Sequence, residues 1–163
     1  MDIVFNNLYN VLKAYAEDFE RVTKKKLIDE DKVASGALVE SIKTRVEING
    51  SIYTVYLDSK DYLKWVESGT RPHFPPTAPI LKWVREKKAI ATREKTGDKS
   101  LPTERQVTYL VQRKIGLYGT EPTRVIATTQ EELNAVYMEK LQDALLQDVT
   151  ENLQSIHIQL HFN

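Results

Sequence analysis

Arg71, Pro72 and His73 set a permanent cation and a titratable imidazole on one stiff stretch of chain, so chemistry is sought there first. A guanidinium beside an imidazole can serve phosphate or acyl transfer, the first holding an anion and the second moving a proton. Such a site also needs a nucleophile or a second acid at the right spacing. No local Ser, Asp or Glu pattern supplies a triad or a metal pair. The other histidines, His157 and His161, share a strand face but stand about 13 Å apart along it, too far for one metal ion by themselves. They read as polar residues on a solvated face. No G-x-x-x-x-G-K-[ST] or G-x-G-x-x-G run is present to cradle a nucleotide. The chain has no cysteine, which removes disulfides, thiolate catalysis and thiolate metal sites together. The sequence points away from an enzyme and implies no cofactor.

The 163 residues suit a single domain spanning 1–163, long enough to bury about two thirds of the unfolded surface. The 23 basic and 23 acidic residues cancel, so no global field favours nucleic acid or an anionic membrane. The opening MDIVFNNLYN lacks a charged region followed by an apolar core and is not expected to be a signal peptide. No apolar run approaches about 18 residues, so no membrane span is expected. The absence of cysteine is compatible with a reducing cytoplasm.

Helical periodicity marks 2–26 as a long N-terminal helix, with Leu8, Leu12, Tyr15, Phe19 and Val22 on one stripe. Asp2 would cap it, and Lys24 to Lys26 would complement its dipole. "SGALVESI" reads as a short helical turn entering a strand. The runs IKTRVEI and SIYTVYL flank Asn49-Gly50, the preferred type I′ pair. This predicts a hairpin over 42–57 with Ile48 opposite Ser51, Val46 opposite Tyr53 and Thr44 opposite Val55. Residues 61–68 form a helix stopped by Gly69. Thr70 to Pro76 must be extended, since each residue before a proline is pushed out of the α region. Thr77 would cap the next helix, with Pro79 in its first turn, running to about Lys88.

Residues 89–102 read as a mobile polar loop. Thr103 and Gln106 make a capping box for a helix whose core stripe is Val107, Leu110, Val111 and Ile115 and which stops near Gly116 or Gly119. Gly119-Thr120-Glu121-Pro122 then echoes Gly69-Thr70-Arg71-Pro72, two uses of one stop signal. "TRVIA" (123–127) reads as a strand. Thr128 with Glu131 would open a helix burying Leu133, Val136, Tyr137, Leu141, Leu145 and Val149. "SIHIQLHFN" alternates as a terminal strand. The expected class is α+β: a small antiparallel sheet (hairpin 42–57 plus the C-terminal strand) packed with several helices.

Charge is uneven along the chain. Residues 71–99 hold eight basic residues and three acidic ones, a net +5; 130–154 hold six acidic residues and one lysine, a net −5. The basic stretch could serve a nucleic-acid-binding accessory module. The preferred reading is that these opposite segments pair between subunits, with Lys87 and Lys88 facing Glu139 and Asp143.

The order of these elements resembles the small head–tail joining proteins of tailed bacteriophages, also called tail-completion or neck proteins. A small-Gly-x-Leu-x-x-Ser-Ile turn is matched at Gly36, Leu38, Ser41 and Ile42. An aromatic-x-x-aromatic-Val-Glu-x-Gly-Thr element is matched at Tyr62, Trp65, Val66, Glu67, Gly69 and Thr70, and a proline-bearing extended segment follows at Pro72, Pro75 and Pro76. The resemblance covers roughly 30–160; the lengths of the 89–102 loop and the N-terminal helix depart from it. It implies a non-catalytic, homo-oligomeric ring in the virion, assembled in the bacterial host cytoplasm. It implies contact with portal, neck or tail proteins, DNA passing through without sequence-specific contact, and no membrane partner. On that reading the arm Arg71, Pro72, His73, Phe74, Pro75 and Pro76 grips a neighbouring subunit. Trp65 and Trp83 then anchor the arm's two ends, unless both are plain core.

Overall fold

Two stretches free of internal proline and glycine become the long helices of the chain, α1 (Asn6–Asp29) and α7 (Val125–Gln154). The computed structural model describes residues 5–30, 36–87 and 90–154. Between the long helices come α2 (Ala37–Ser41), the strands β1 (Lys43–Asn49) and β2 (Ile52–Asp58), α3 (Leu63–Ser68), α4 (Thr77–Glu86), α5 (Arg93–Thr96) and α6 (Glu104–Tyr118). The class is α+β: helices with one two-stranded antiparallel sheet among the described residues. Asp2, Lys88 and the expected C-terminal strand lie outside them. The chain divides into two compact units, one holding 5–23, 43–58 and 127–154, the other 24–30, 36–42, 59–87 and 90–126 of the described residues.

In the first unit the α1 N-terminus is closed by a distant carboxylate. Asp148, buried on α7, accepts hydrogen bonds from the Asn7 and Leu8 backbone N–H groups at 2.9 and 2.7 Å, and from Asn7 Nδ2 at 2.9 Å. These amide groups have no partner within their own helix. Along α1 the buried residues are Ala16, Phe19, Thr23 and Leu27, so of the expected stripe only Phe19 is buried and the rest are half-buried. Glu20 holds the start of β1 by accepting from the Thr44 backbone N–H at 2.9 Å.

The hairpin forms, but its register is two residues from the expected one. Asn49 pairs Ile52, Ile48 pairs Tyr53 and Val46 pairs Val55. The loop is Gly50-Ser51, and of Asn49, Gly50 and Ser51 only Gly50 has positive φ, at 62°. A glycine first in a two-residue loop meets the type II′ requirement, leaving Asn49 in the strand. A shift of two keeps every side chain on its face, so Thr44, Val46, Tyr53, Val55 and Leu57 are half-buried on the expected face, while Ile48 at its end is exposed and Thr54 is half-buried on the other. The other face is open, with Arg45 over the Tyr56 ring at 4.2 Å and paired with Asp58 and Glu47. A Cβ at Gly50 would meet nothing within 4 Å, so Gly50→Val tests backbone strain alone. It should cost about 1–2 kcal/mol, read as a lowered thermal midpoint; an unchanged midpoint would contradict the loop geometry.

Tyr137 joins α7 to α1 within the same unit. Its hydroxyl donates to Asp18 Oδ2 at 2.7 Å and its ring meets Tyr15 edge-on at 5.4 Å. Burial, reinforced by the Asp18 hydrogen bond, pushes the phenol from its ordinary 10.0 up to about 12. The folded state therefore holds the phenolic proton more tightly than the unfolded chain, and this stabilisation is complete below pH 10 and lost as pH rises toward 12. Tyr137→Phe should cost about 1 kcal/mol at pH 7. Chemical denaturation at stepped pH should show that deficit shrinking above pH 10; a constant deficit would rule out the hydrogen bond as its source.

In the second unit, α3 and α6 end as expected at Gly69 and Gly119, and the Thr103–Gln106 capping box is complete. Pro76 rather than Thr77 is the α4 cap residue. The stretch 123–127 is not a strand: its last three residues are the start of α7. Instead Arg124, at φ 52°, turns the backbone into α7, whose first turn is capped by Glu67 accepting from the Ile126 N–H at 2.8 Å. Thr128 consequently lies inside the helix, not at a capping box.

Of the expected polar loop, the described residues 90–102 are built into local structure. They contain α5, bury Thr92, and send Lys95 Nζ to the carbonyls of Val84, Lys87 and Ile90 at 2.6, 2.7 and 3.0 Å. Lys95 thereby satisfies the carbonyl end of α4, a favourable place for a cation.

Candidate interaction site

The two Gly-Thr-x-Pro stops pair with one another. Thr70 and Thr120 form an antiparallel bridge, exchanging N–H to carbonyl bonds at 3.0 and 3.1 Å, with their hydroxyls 3.0 Å apart. Gly69 and Gly119 both sit at positive φ, 67° and 73°, where only glycine is unstrained. A Cβ at Gly69 would stand 2.8 Å from Pro122 N, and one at Gly119 would stand 2.9 Å from the Arg71 carbonyl carbon. Each stop thus needs glycine twice, for its angle and for the approach of the other backbone.

Beyond the bridge the arms cross. Four residues after each glycine a backbone N–H reaches the last turn of the other helix: His73 to the Ile115 carbonyl at 3.3 Å, Thr123 to the Val66 carbonyl at 3.0 Å. The echo noted in the sequence is therefore one reciprocal joint. Gln112, buried on α6, secures the far end of the first arm through Nε2 to the Pro75 carbonyl at 2.8 Å and to Thr77 Oγ1 at 3.1 Å.

These contacts hold the arm. Trp65 is 55% exposed and Trp83 half-buried, so the pair is not plain core. Pro75 is buried, whereas Arg71, Pro72, His73, Phe74 and Pro76 face solvent. Phe74 is 61% exposed, with one ring edge lying over Gly116. The His73 ring is bonded through Nδ1 to the Arg71 carbonyl at 2.9 Å, so these two neighbours are locked by their own backbone. No group of three or more His, Asp or Glu is placed to hold a metal among the described residues.

The charged candidates are divided. Glu139 and Asp143 are exposed on α7. Lys87 is only 6% exposed and so is not offered to a neighbour; Lys88 lies outside the described residues. Much of the basic stretch is used internally: Arg85 pairs with Glu104 at 2.7 Å, Arg93 Nη2 donates to the Lys99 carbonyl at 2.8 Å, and Lys95 closes α4. Its +5 is thus not one free surface.

Apolar faces supply what the charges do not. On α6 the buried residues are Thr108 and Gln112 while Leu110, expected in the core, is 57% exposed. On α7, Leu133, Tyr137, Ala144 and Asp148 are buried, whereas Val136, Leu145 and Val149, also expected inside, are exposed. The capping demand of α1 explains the second inversion, because Asp148 must turn inward to meet it. The signal available in the sequence was a second apolar stripe on α7, which periodicity alone cannot rank against the first.

Comparison with protein-family models, with curated proteins and with solved structures finds no match to this chain.

Proposed function

We propose that this chain is a non-enzymatic virion structural protein, one subunit of a homo-oligomeric ring at the head–tail junction of a tailed bacteriophage, acting in head–tail joining or tail completion. The motif order from Gly36 to Pro76 supports the family reading. The observation that carries the assembly role is the extent of uncovered apolar surface on regular elements: Leu110, Leu117 and Tyr118 on α6, and Leu145, Leu146 and Leu153 on α7. Large apolar side chains exposed together along a helix mark a surface that is covered in the working state. Phe74, exposed on a pinned proline-rich arm, adds a preorganised grip, since such extended chain loses little entropy on docking. Portal, neck or tail proteins would lie above and below the ring, and DNA would pass through without sequence reading.

Deleting the gene in the parent phage tests this directly. Electron microscopy should then show filled heads and free tails that fail to join, with joining restored by the chain in trans. Normal joined particles without it would overturn the proposal. Strongly salt-dependent DNA binding by an isolated monomer would instead favour the nucleic-acid-binding alternative.

A further inference from the structure

We infer that the outer face of α6 in one copy docks on the outer face of α7 in another, a contact that deepens the ring reading and rests on it. Burial of Thr108 and Gln112, one turn apart, leaves the opposite side of α6 facing solvent, carrying Leu110, Arg113, Lys114 and Leu117. Tyr109 and Arg105 border this face. At its start lies an open depression of ≈ 680 Å³ lined by Arg93, Leu101, Pro102, Arg105, Tyr109 and Leu110. The surface is apolar at two points two turns apart and basic between them.

On α7 the exposed stripe is Met138, Gln142, Leu145 and Val149, with Leu146 and Leu153 beside it. The alternating four and three spacing is that of a coiled-coil seam. Glu139 and Asp143 run along its edge, exposed. The surface is apolar with an acidic border. α6, with 15 residues, is about 22 Å long, and 138–153 of α7 extends about 24 Å, so the two faces match in length.

Charge decides the occupant. Two α6 faces would bring Arg113 and Lys114 against their own kind, and two α7 faces would oppose Glu139 and Asp143; like charges across an interface disfavour both pairings. α6 against α7 covers apolar surface on both sides and joins opposite signs. This is one surface of a copy meeting a different surface of the next, the arrangement that closes into rings. The acidic partners expected from the sequence are retained, while the basic partners move from Lys87 and Lys88 to Arg113 and Lys114.

The natural absence of cysteine makes a clean test. Leu110→Cys and Leu117→Cys variants are each mixed with Leu145→Cys and oxidised, since in either helix direction one of the first two should lie within a turn of the third. Disulfide-linked dimers should form at least ten-fold more in a mixture than in any single variant alone. Arg113→Glu with Lys114→Glu should abolish the cross-link, as should Glu139→Lys with Asp143→Lys, and combining the two reversed surfaces should restore it. Cross-linking as strong in the unmixed variants, or none in either mixture, would overturn the contact. The test uses purified chain, so it separates from the gene deletion. A cross-linking chain that phage assembly does not need would end the ring reading alone, and a required chain that does not cross-link would end this contact alone.

Discussion

Gly119→Ala is expected to be among the most damaging single substitutions in the chain, costing about 2–6 kcal/mol. The figure combines about 1–3 kcal/mol for a side chain at φ 73°, ψ −156°, a region open essentially to glycine alone, with about 1–3 kcal/mol for overpacking. The new Cβ would fall inside 3.0 Å of backbone atoms of Thr70 and Arg71, and backbone in a bridge cannot swing aside as a side-chain tip can. Gly97→Ala is the control. Its φ is similar, but its ψ of −4° puts it in the left-handed region that other residues enter at moderate cost, and nothing lies within 4 Å of the added atom, so it should cost only about 1–2 kcal/mol. Denaturant melts of the two variants read the joint's contribution, its close packing together with its glycine-only backbone angles. Equal losses would mean that the crossed arms are not closely packed against the glycines. Gly69→Ala should behave like Gly119→Ala, because the joint is reciprocal.

Asp148→Ala should cost about 3 kcal/mol. The carboxylate is buried and accepts from two backbone N–H groups and a side-chain amide. Hydrogen bonds to a charged group are each worth about 1.5–3 kcal/mol, and their loss leaves donors unsatisfied. Water entering at the helix end recovers part of that cost. Amide hydrogen exchange at Asn7 and Leu8 should accelerate more than at mid-helix sites such as Lys13. Glu151→Ala is the comparison: it lies near Asn7 Nδ2 at 3.4 Å but is exposed, so less than about 0.5 kcal/mol is expected. If both variants lost the same small amount, the distant cap would be a surface contact and nothing more.

Local rules made much of this protein legible in its sequence. Proline-free runs and 3.6-residue periodicity located the long helices, though not α5 or the first turn of α7. The glycines after 68 and 118 located their ends, the Thr103–Gln106 box located a beginning, and alternation around residue 50 located the hairpin. Each is a property of a few neighbouring residues, so an isolated segment already expresses it. The hairpin register escaped by two residues because Asn49-Gly50 and Gly50-Ser51 are both acceptable loops, and alternation is unchanged by a shift of two.

Only the tertiary structure decided which faces of the helices are inside and what closes their ends. The caps of α1 and α7 come from Asp148 and Glu67, 140 and 59 residues away from the amides they meet, and a buried carboxylate with three donors outweighs the local preference of an apolar stripe. That is why Leu145 and Val149 face solvent while Asp148 does not. The two Gly-Thr-x-Pro stops were visible as an echo, but their joining depends on two chain segments meeting across 50 residues. Periodicity reports how a helix repeats along its own axis. Which side of it is covered depends on long-range partners, and no local pattern contains them.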